Sequence, residues 1–331
     1  MEIINSVADL AKALAELGEP APEHTRFFRG HGDKSWRLLP KIYREKYLIE
    51  NEDKIIKDAL TYCPGYFSSS STLFEKLVLL QHYGYATRLL DLTSNILVAL
   101  YFASLPQEKS FISKEAGGKI NVNPETDGEI LILDIPDESI RYDDSDTVSI
   151  LSAIALRDKY FNINEFIDDV DFSSFNQTTK NAINSGIKPI EEKDFPEINE
   201  LCRQIFNSIF EREKNFNNSE DITKLYNDVK KEKPYFTPSI KPITLSEIIC
   251  VRAKLTNPRI LRQQGSFLLF GMNNEKIKCA DYMELIIGRF TVLAKSKKNI
   301  LHELTSYGIN KSFLFPELDM QAQDIMNKYK S

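Results

Sequence analysis

Cysteine, histidine and long apolar runs are all scarce in this chain, and each scarcity removes a class of function. The four cysteines, Cys63, Cys202, Cys250 and Cys279, stand far apart, with no two at C-x-x-C spacing. That pattern argues against a zinc ribbon and against a disulfide framework, and implies free thiols in a reducing, cytoplasmic setting. Only four histidines occur, His24, His31, His82 and His302, and none pairs at metal-ligand spacing. Walker A, H-E-x-x-H and G-x-S-x-G are absent, and Gly30-His31-Gly32 lacks the third glycine of a dinucleotide fingerprint. A metalloenzyme and a serine hydrolase are therefore disfavoured, and so is a nuclease, for want of an acidic metal cluster. No apolar run approaches the ~20 residues of a membrane span. The amphipathic, acid-containing start Met1–Leu17 fits neither a secretory signal nor a basic transit peptide.

What is present is an ordinary globular composition, 42% hydrophobic and 27% charged over 331 residues, enough for one large domain or two smaller ones. The net charge of −6 disfavours duplex nucleic acid and anionic membranes as partners. One stretch runs against it. Between His24 and Lys46, seven basic residues (Arg26, Arg29, Lys34, Arg37, Lys41, Arg44, Lys46) outnumber two acids, Asp33 and Glu45. Such an island suits a compact anionic ligand, or else is a solvated face paired with acids from elsewhere.

Periodicity gives an α/β (α+β) reading: a mixed sheet core with surrounding helices. Ser6 and Asp9 form a weak capping box for a helix carrying Val7, Leu10, Leu14 and Leu17, which Gly18 and Pro20 stop. Thr25–Arg29 reads as a short strand ended by a turn at Gly30-His31-Gly32-Asp33. Thr72-x-x-Glu75 opens a helix that ends near Gly84. Ile96–Ala103 is apolar all round and follows Thr93-Ser94-Asn95, good N-cap types, so it reads as a buried helix. Ile130–Leu133, Ser266–Phe270 and a segment within Leu285–Leu293 read as buried strands, and Ser296–Tyr307 as a late helix. The chain then divides into 1–135, a variable and mostly helical insertion at 136–240 that includes a helix over Glu197–Phe210, and 241–331, which completes the core.

Three stretches stand out within that frame. The first is Phe27-Phe28-Arg29-Gly30 with Trp36-x-Leu38-x-Pro40 and Arg44. The second is Gln81-His82-Tyr83-Gly84-Tyr85-Ala86-Thr87-Arg88-Leu89-Leu90-Asp91-Leu92-Thr93, running into Ala99–Ala103. The third is Arg259-Ile260 with Gln263-Gln264-Gly265-x-Phe267. In order and rough spacing they resemble the FRG domain family, named for its Phe-Arg-Gly signature. The tail from Gly308 to Asp319 is similar to the end of such proteins. His31 and Leu92 stand where Gln and Trp are expected, and Ala86 where proline is usual. The resemblance implies a site built from Thr25–Pro40, Gln81–Asn95 and Asn257–Phe270, without naming a reaction.

Each candidate residue carries two readings. Arg29 ends a strand and meets glycines that let backbone approach a ligand, and its planar fork suits phosphate; otherwise it pairs with a buried carboxylate and holds the turn. Arg88 and Asp91, three apart in an apolar stretch, either face the ligand or form a structural ion pair, with Asp91 a possible helix cap. Thr93 and Ser94 lie where a buried helix begins, a place that favours anions. His82 and Tyr83 project toward the same space or are satisfied core groups, and Trp36 reads as core. Gln263 and Gln264 read a ligand or satisfy backbone.

The order of parts also resembles mono-ADP-ribosyltransferases, where an Arg holds NAD, a Ser/Thr segment supports the nicotinamide pocket and a third strand brings an acid. The resemblance implies an ADP-ribosyltransferase-like core, NAD as the suspected cofactor, and Asp91, His82 and Gln264 as catalytic candidates. Arg29, Gly30, His31, Tyr83, Arg88, Thr93, Ser94 and Gln263 are then the ligand-binding set, with no metal. The alternative is a non-catalytic module sensing a nucleotide or other small phosphorylated ligand, in stress or phage defence. In either reading 136–240 could dock a protein partner.

Overall fold

Ten strands form among the residues that the computed structural model describes, 2–68, 70–107, 125–166, 211–237, 239–255, 257–281 and 285–329. In chain order they are β1 (Glu2–Ile4), β2 (His24–His31), β3 (Leu89–Thr93), β4 (Gly128–Pro136), β5 (Ile140–Tyr142), β6 (Ile248–Arg252), β7 (Gly265–Phe270), β8 (Met272–Asn273), β9 (Glu275–Cys279) and β10 (Ile286–Val292). Eight of them make one mixed sheet in the order β1-β10-β4-β2-β3-β7-β6-β5, while β8 and β9 form a separate hairpin. Helices among the described residues include α1 (Val7–Leu17), α2 (Lys46–Glu50), α3 (Glu52–Tyr62), α4 (Leu73–His82), α5 (Ile96–Ala103), α6 (Asp146–Ala153), α7 (Glu220–Glu232), α8 (Pro258–Gln263), α9 (Ala294–Ser306), α10 (Lys311–Leu314) and α11 (Leu318–Lys328). The mixed α/β architecture is as expected. None of the described helices is long and apolar enough to cross a membrane.

Local signals place several helices. Ser6 Oγ accepts from Asp9 N at 3.1 Å, and Asp9 Oδ2 accepts from Asn5 N at 3.0 Å, so the predicted cap of α1 closes one residue early on its return bond. Thr72 and Glu75 complete both bonds of the predicted capping box on α4. Asn95, not Thr93 or Ser94, caps α5: its Oδ1 accepts from Leu97 N at 2.9 Å. The helix predicted at Glu197–Phe210 lies outside the described residues.

Two strands depart from expectation. β2 runs on through Gly30 to His31 instead of turning after Arg29. The reason is tertiary. A Cβ on Gly30 would stand 2.0 Å from the Ala99 carbonyl oxygen, and one on Gly128 would stand 1.9 Å from that of Ala103. These glycines are the seats on which α5 lies across β2 and β4, so an extended backbone there is held by the helix above it. The second is β3, an apolar stretch broken by Asp91, for which no element was expected.

The sheet is almost two sheets. β2 and β4 pair from His24↔Pro136 to His31↔Glu129, and β3 and β7 pair from Leu89↔Leu269 to Thr93↔Gly265. Between these halves β2 and β3 share one pair, Phe28↔Thr93. The α5 side of the sheet carries two apolar clusters that follow the same division. One joins Phe28, Ile130, Ile132, Phe290 and Val292 to α1, α5 and α9. The other joins Leu89, Phe267, Leu269, Ile249 and Val251 to α4, α6 and α7. The described parts of 136–240 share this second core, and β5 pairs in parallel with β6. The opposite side is covered by Leu38, Ile42 and Tyr43.

Candidate functional site

A cleft of about 260 Å³ opens where β2 and β3 part. Phe28, Arg29 and Gly30 line it from β2, Asp91, Leu92 and Thr93 from β3, Val98 and Phe102 from α5, and Arg259 and Gln263 from α8. Trp36, expected in the core, also lines it; it is 40% exposed and stands edge-on to the His31 ring at 6.0 Å.

Arg29 is the organising group. Its Nη1 donates to the Asp91 carbonyl at 2.5 Å, an acceptor that a continuous β2–β3 ladder would have used. Its Nε donates to His31 Nε2 at 3.0 Å. The Asp91 carboxylate is 4.0 Å from Nη1, an ion pair without a hydrogen bond, and its side chain is 62% exposed. Burial pulls the Arg29 pKa down to about 10, with Asp91 opposing and Arg44 assisting that fall, so the group is still charged at neutral pH. Arg44 is likewise lowered by burial and raised by Asp91, so two guanidinium groups share one open carboxylate. Among the described residues, Nη2 of Arg29 meets no acceptor.

Four other members of the basic island are occupied elsewhere. Arg26 holds Asp134 through two 2.7 Å bonds, Lys34 holds Asp127 at 2.8 Å, Lys41 donates to the Gly84 carbonyl at 2.7 Å, and Lys46 stands 3.8 Å from Glu50.

Several predicted site residues lie elsewhere. Arg88 does not reach the cleft. Arg88 stands just before β3 and continues its ladder through Phe270 N, so, three apart, Arg88 and Asp91 face opposite sides. Arg88 is fully buried, with Nε to Glu52 Oε1 at 3.0 Å, Nη2 to Glu52 Oε2 at 2.5 Å and Nη1 to the Phe270 carbonyl at 3.0 Å. Lys276 Nζ adds a second cation 3.4 Å from Glu52. Arg88 is therefore a core ion pair, not a ligand group. His82 sits on α4 with Glu317 at 3.6 Å, and Tyr83 is 59% exposed and edge-on to both His82 and Tyr66; neither lines the cleft. His31 is fully buried behind Arg29.

Ser94 and Gln264 point away into an adjoining cavity of about 560 Å³. They bind each other there: Ser94 N donates to the Gln264 carbonyl at 3.1 Å, and Ser94 Oγ to its Oε1 at 3.4 Å. Gln264 takes the left-handed conformation, φ 47°, in the sharp turn from α8 into β7. Thr93 and Gln263 stay at the cleft. Thr93 Oγ1 donates to the Gln263 carbonyl at 2.7 Å, and Gln263 Nε2 donates to the Leu314 carbonyl at 3.0 Å. Gly30 does line the cleft, although what its missing side chain admits is α5.

Of the predicted set, then, the fold brings Arg29, Gly30, Asp91, Thr93 and Gln263 together. Arg259 was visible as part of a motif but carried no assigned role; its guanidinium stacks 4.6 Å from the Phe315 ring centre. Arg44 was visible as one charge in the basic island and as the end of the first motif, with no assigned role.

Residues 24–110 match the family model of the FRG domain. No curated protein and no solved structure matches the chain. Every cleft residue except Arg259 and Gln263 falls inside the matched stretch. This chain carries an FRG domain, and the signature Phe28-Arg29-Gly30 forms one wall of the cleft where its sheet divides.

Proposed function

We propose that this cleft binds a compact phosphate-bearing ligand, with NAD the leading candidate, and that it supports ADP-ribosyl transfer or NAD cleavage. The observation that carries the reading is Arg29. Its guanidinium is largely withdrawn from water, two donors are committed, and Nη2 is left to the cleft the side chain lines. A planar fork held in place and incompletely paired is suited to a phosphate. At about 260 Å³ the cleft falls just below the ~300–1,000 Å³ usual for small-ligand sites. It would take one half of a dinucleotide, with the remainder toward solvent.

The order of parts in mono-ADP-ribosyltransferases supports the same reading. An aromatic-Arg-Gly on β2, Thr93 at the end of β3 and a glutamine before β7 meet in one place. The third position is an amide committed to backbone, so it transfers no proton. The carboxylate at the cleft is Asp91, open and 4.0 Å from Arg29. In this reading Asp91 stabilises the oxocarbenium-like charge that develops as the glycosidic bond breaks. The same amide favours the second reading, a non-catalytic nucleotide sensor in stress or phage defence, with 136–240 meeting a protein partner.

Calorimetric titration with NAD, followed by mass spectrometry for ADP-ribose, separates the two. Arg29→Ala is expected to weaken NAD binding at least ~10-fold, the loss of a charge-assisted contact. Asp91→Asn is expected to keep binding and lose turnover. Binding without product in the wild type leaves the sensor. Absence of both heat and product removes NAD altogether.

A further inference from the structure

The cleft's arginine is held from behind by a file of polar groups that crosses three strands, from buried His31 and Glu129 out to exposed Arg289. His31 follows Arg29 by two residues on β2, so both side chains leave the same side of the sheet. Glu129 on β4 is the register partner of His31, and Arg289 on β10 lies diagonal to Glu129, whose own partner is Thr291. Arg289 Nη1 donates to Glu129 Oε2 at 2.7 Å. His31 Nδ1 and Glu129 Oε1 face each other at 3.7 Å, both buried and neither hydrogen-bonded.

Hydrogen-bonding chemistry decides the state of the ring. An arginine Nε–H can only donate, so the His31 nitrogen it meets must be a bare acceptor. The ring proton is then on Nδ1, turned toward Glu129, whose carboxylate can only accept. A protonated ring would set two N–H groups against each other. Burial, together with the charges of Arg29 and Arg44, disfavours that protonated form, while Glu129 opposes them.

We infer that His31 is the positioning residue of the cleft: Glu129 and the Arg29 Nε–H together select its Nδ1–H tautomer, and the bond at Nε2 fixes the plane in which Arg29 offers Nη2 to a phosphate. His31 touches no ligand in this arrangement. It acts through Arg29, and its effect on affinity rests on the phosphate-binding reading of the cleft, whereas the bond itself does not.

The test therefore has one arm that needs no ligand. In the free protein, nitrogen-15 spectra of the His31 ring should show a neutral Nδ1–H tautomer at neutral pH. The Arg29 Nε–H, assigned by its loss in Arg29→Lys, should be protected from solvent exchange. His31→Gln places a carboxamide oxygen near the Nε2 position and should retain that protection. His31→Leu, with its fold checked by thermal melting, should speed exchange at least ~10-fold. A proton on Nε2, or protection unchanged in His31→Leu, overturns the inference. If His31→Leu fails to fold, His31→Gln decides alone, since loss of protection there is also an overturning result. The second arm is NAD affinity, expected near wild type in His31→Gln and at least ~10-fold weaker in His31→Leu. Equal affinities for the two variants overturn the inference. Failure of the wild type to bind NAD removes the functional reading above and leaves the spectroscopic arm to decide this one.

Discussion

Two arginines in comparable apolar company meet different ends, and the difference lies in what each finds within reach. Arg88 is sealed between Glu52, the Phe270 carbonyl and nearby Lys276. Every contact there is internal, so the group serves the core and is costly to break. Arg29 finds a backbone carbonyl and a histidine, with the Asp91 carboxylate 4.0 Å away. It is held but not neutralised. The two should therefore separate in experiment. Removing Arg88 leaves Glu52 with Lys276 alone and the Phe270 carbonyl without its donor, so Arg88→Ala should lower unfolding free energy by ~3 kcal/mol. Its affinity for NAD should stay that of the wild type. Arg29→Ala should do the reverse, with a small change in denaturation midpoint and a large one in affinity. A pair of urea melts and a pair of titrations check this, and equal behaviour of the two variants would contradict the assignment.

At the scale of elements, α5 and its seat on the sheet show how far local sequence reaches. The helix itself was readable, as an all-apolar octet behind good capping residues. So was α4, because Thr72 and Glu75 satisfy each other without help from the rest of the chain. What could not be read was the continuation of β2 beneath α5, since Gly30-His31-Gly32 looks like a turn until a helix is placed on Gly30. β3 was hidden for a related reason: Arg88 and Asp91 suggested one ligand-facing group or a pair, whereas strand alternation sends them to opposite sides. The three segments of the site were legible as segments. Which side chains in them meet depended on partners such as Glu52 and Glu129 that no spacing along the chain reveals. The seat of α5 can be tested directly. Gly30→Ala would drive a methyl onto the Ala99 carbonyl, backbone against backbone, with no flexible side chain to yield. Overpacking of this kind should cost ~3 kcal/mol, read as a shift in denaturant midpoint. A change within ~0.5 kcal/mol, the range of an ordinary surface substitution, would mean that α5 does not lie where this packing puts it.

Taken whole, the molecule is built as two halves with a hinge of minimal hydrogen bonding. β1, β10, β4 and β2 close over one apolar cluster and β3, β7, β6 and β5 over another, with one register pair between them. On the α5 side each half has a core of its own, which lets each open as a cooperative unit, while on the other side a shared cluster packs Phe27, Leu131 and Leu133 against Leu90, Leu92 and Leu268. Native-state hydrogen exchange in low denaturant should therefore resolve two sets of slow amides. Ile130–Leu133 should report one opening free energy and Phe267–Phe270 another, ~1 kcal/mol or more apart. The cleft lies on the join and draws lining residues from both sides, so a ligand seated there binds only when both halves are formed. NAD at a hundred times its dissociation constant should then raise the weaker unit's opening free energy by up to ~2.7 kcal/mol and narrow the gap. Identical opening energies and denaturant slopes in the free protein would show a single cooperative sheet. Two units that NAD stabilises unequally, leaving the weaker one unchanged, would place the ligand on one half and away from the divide.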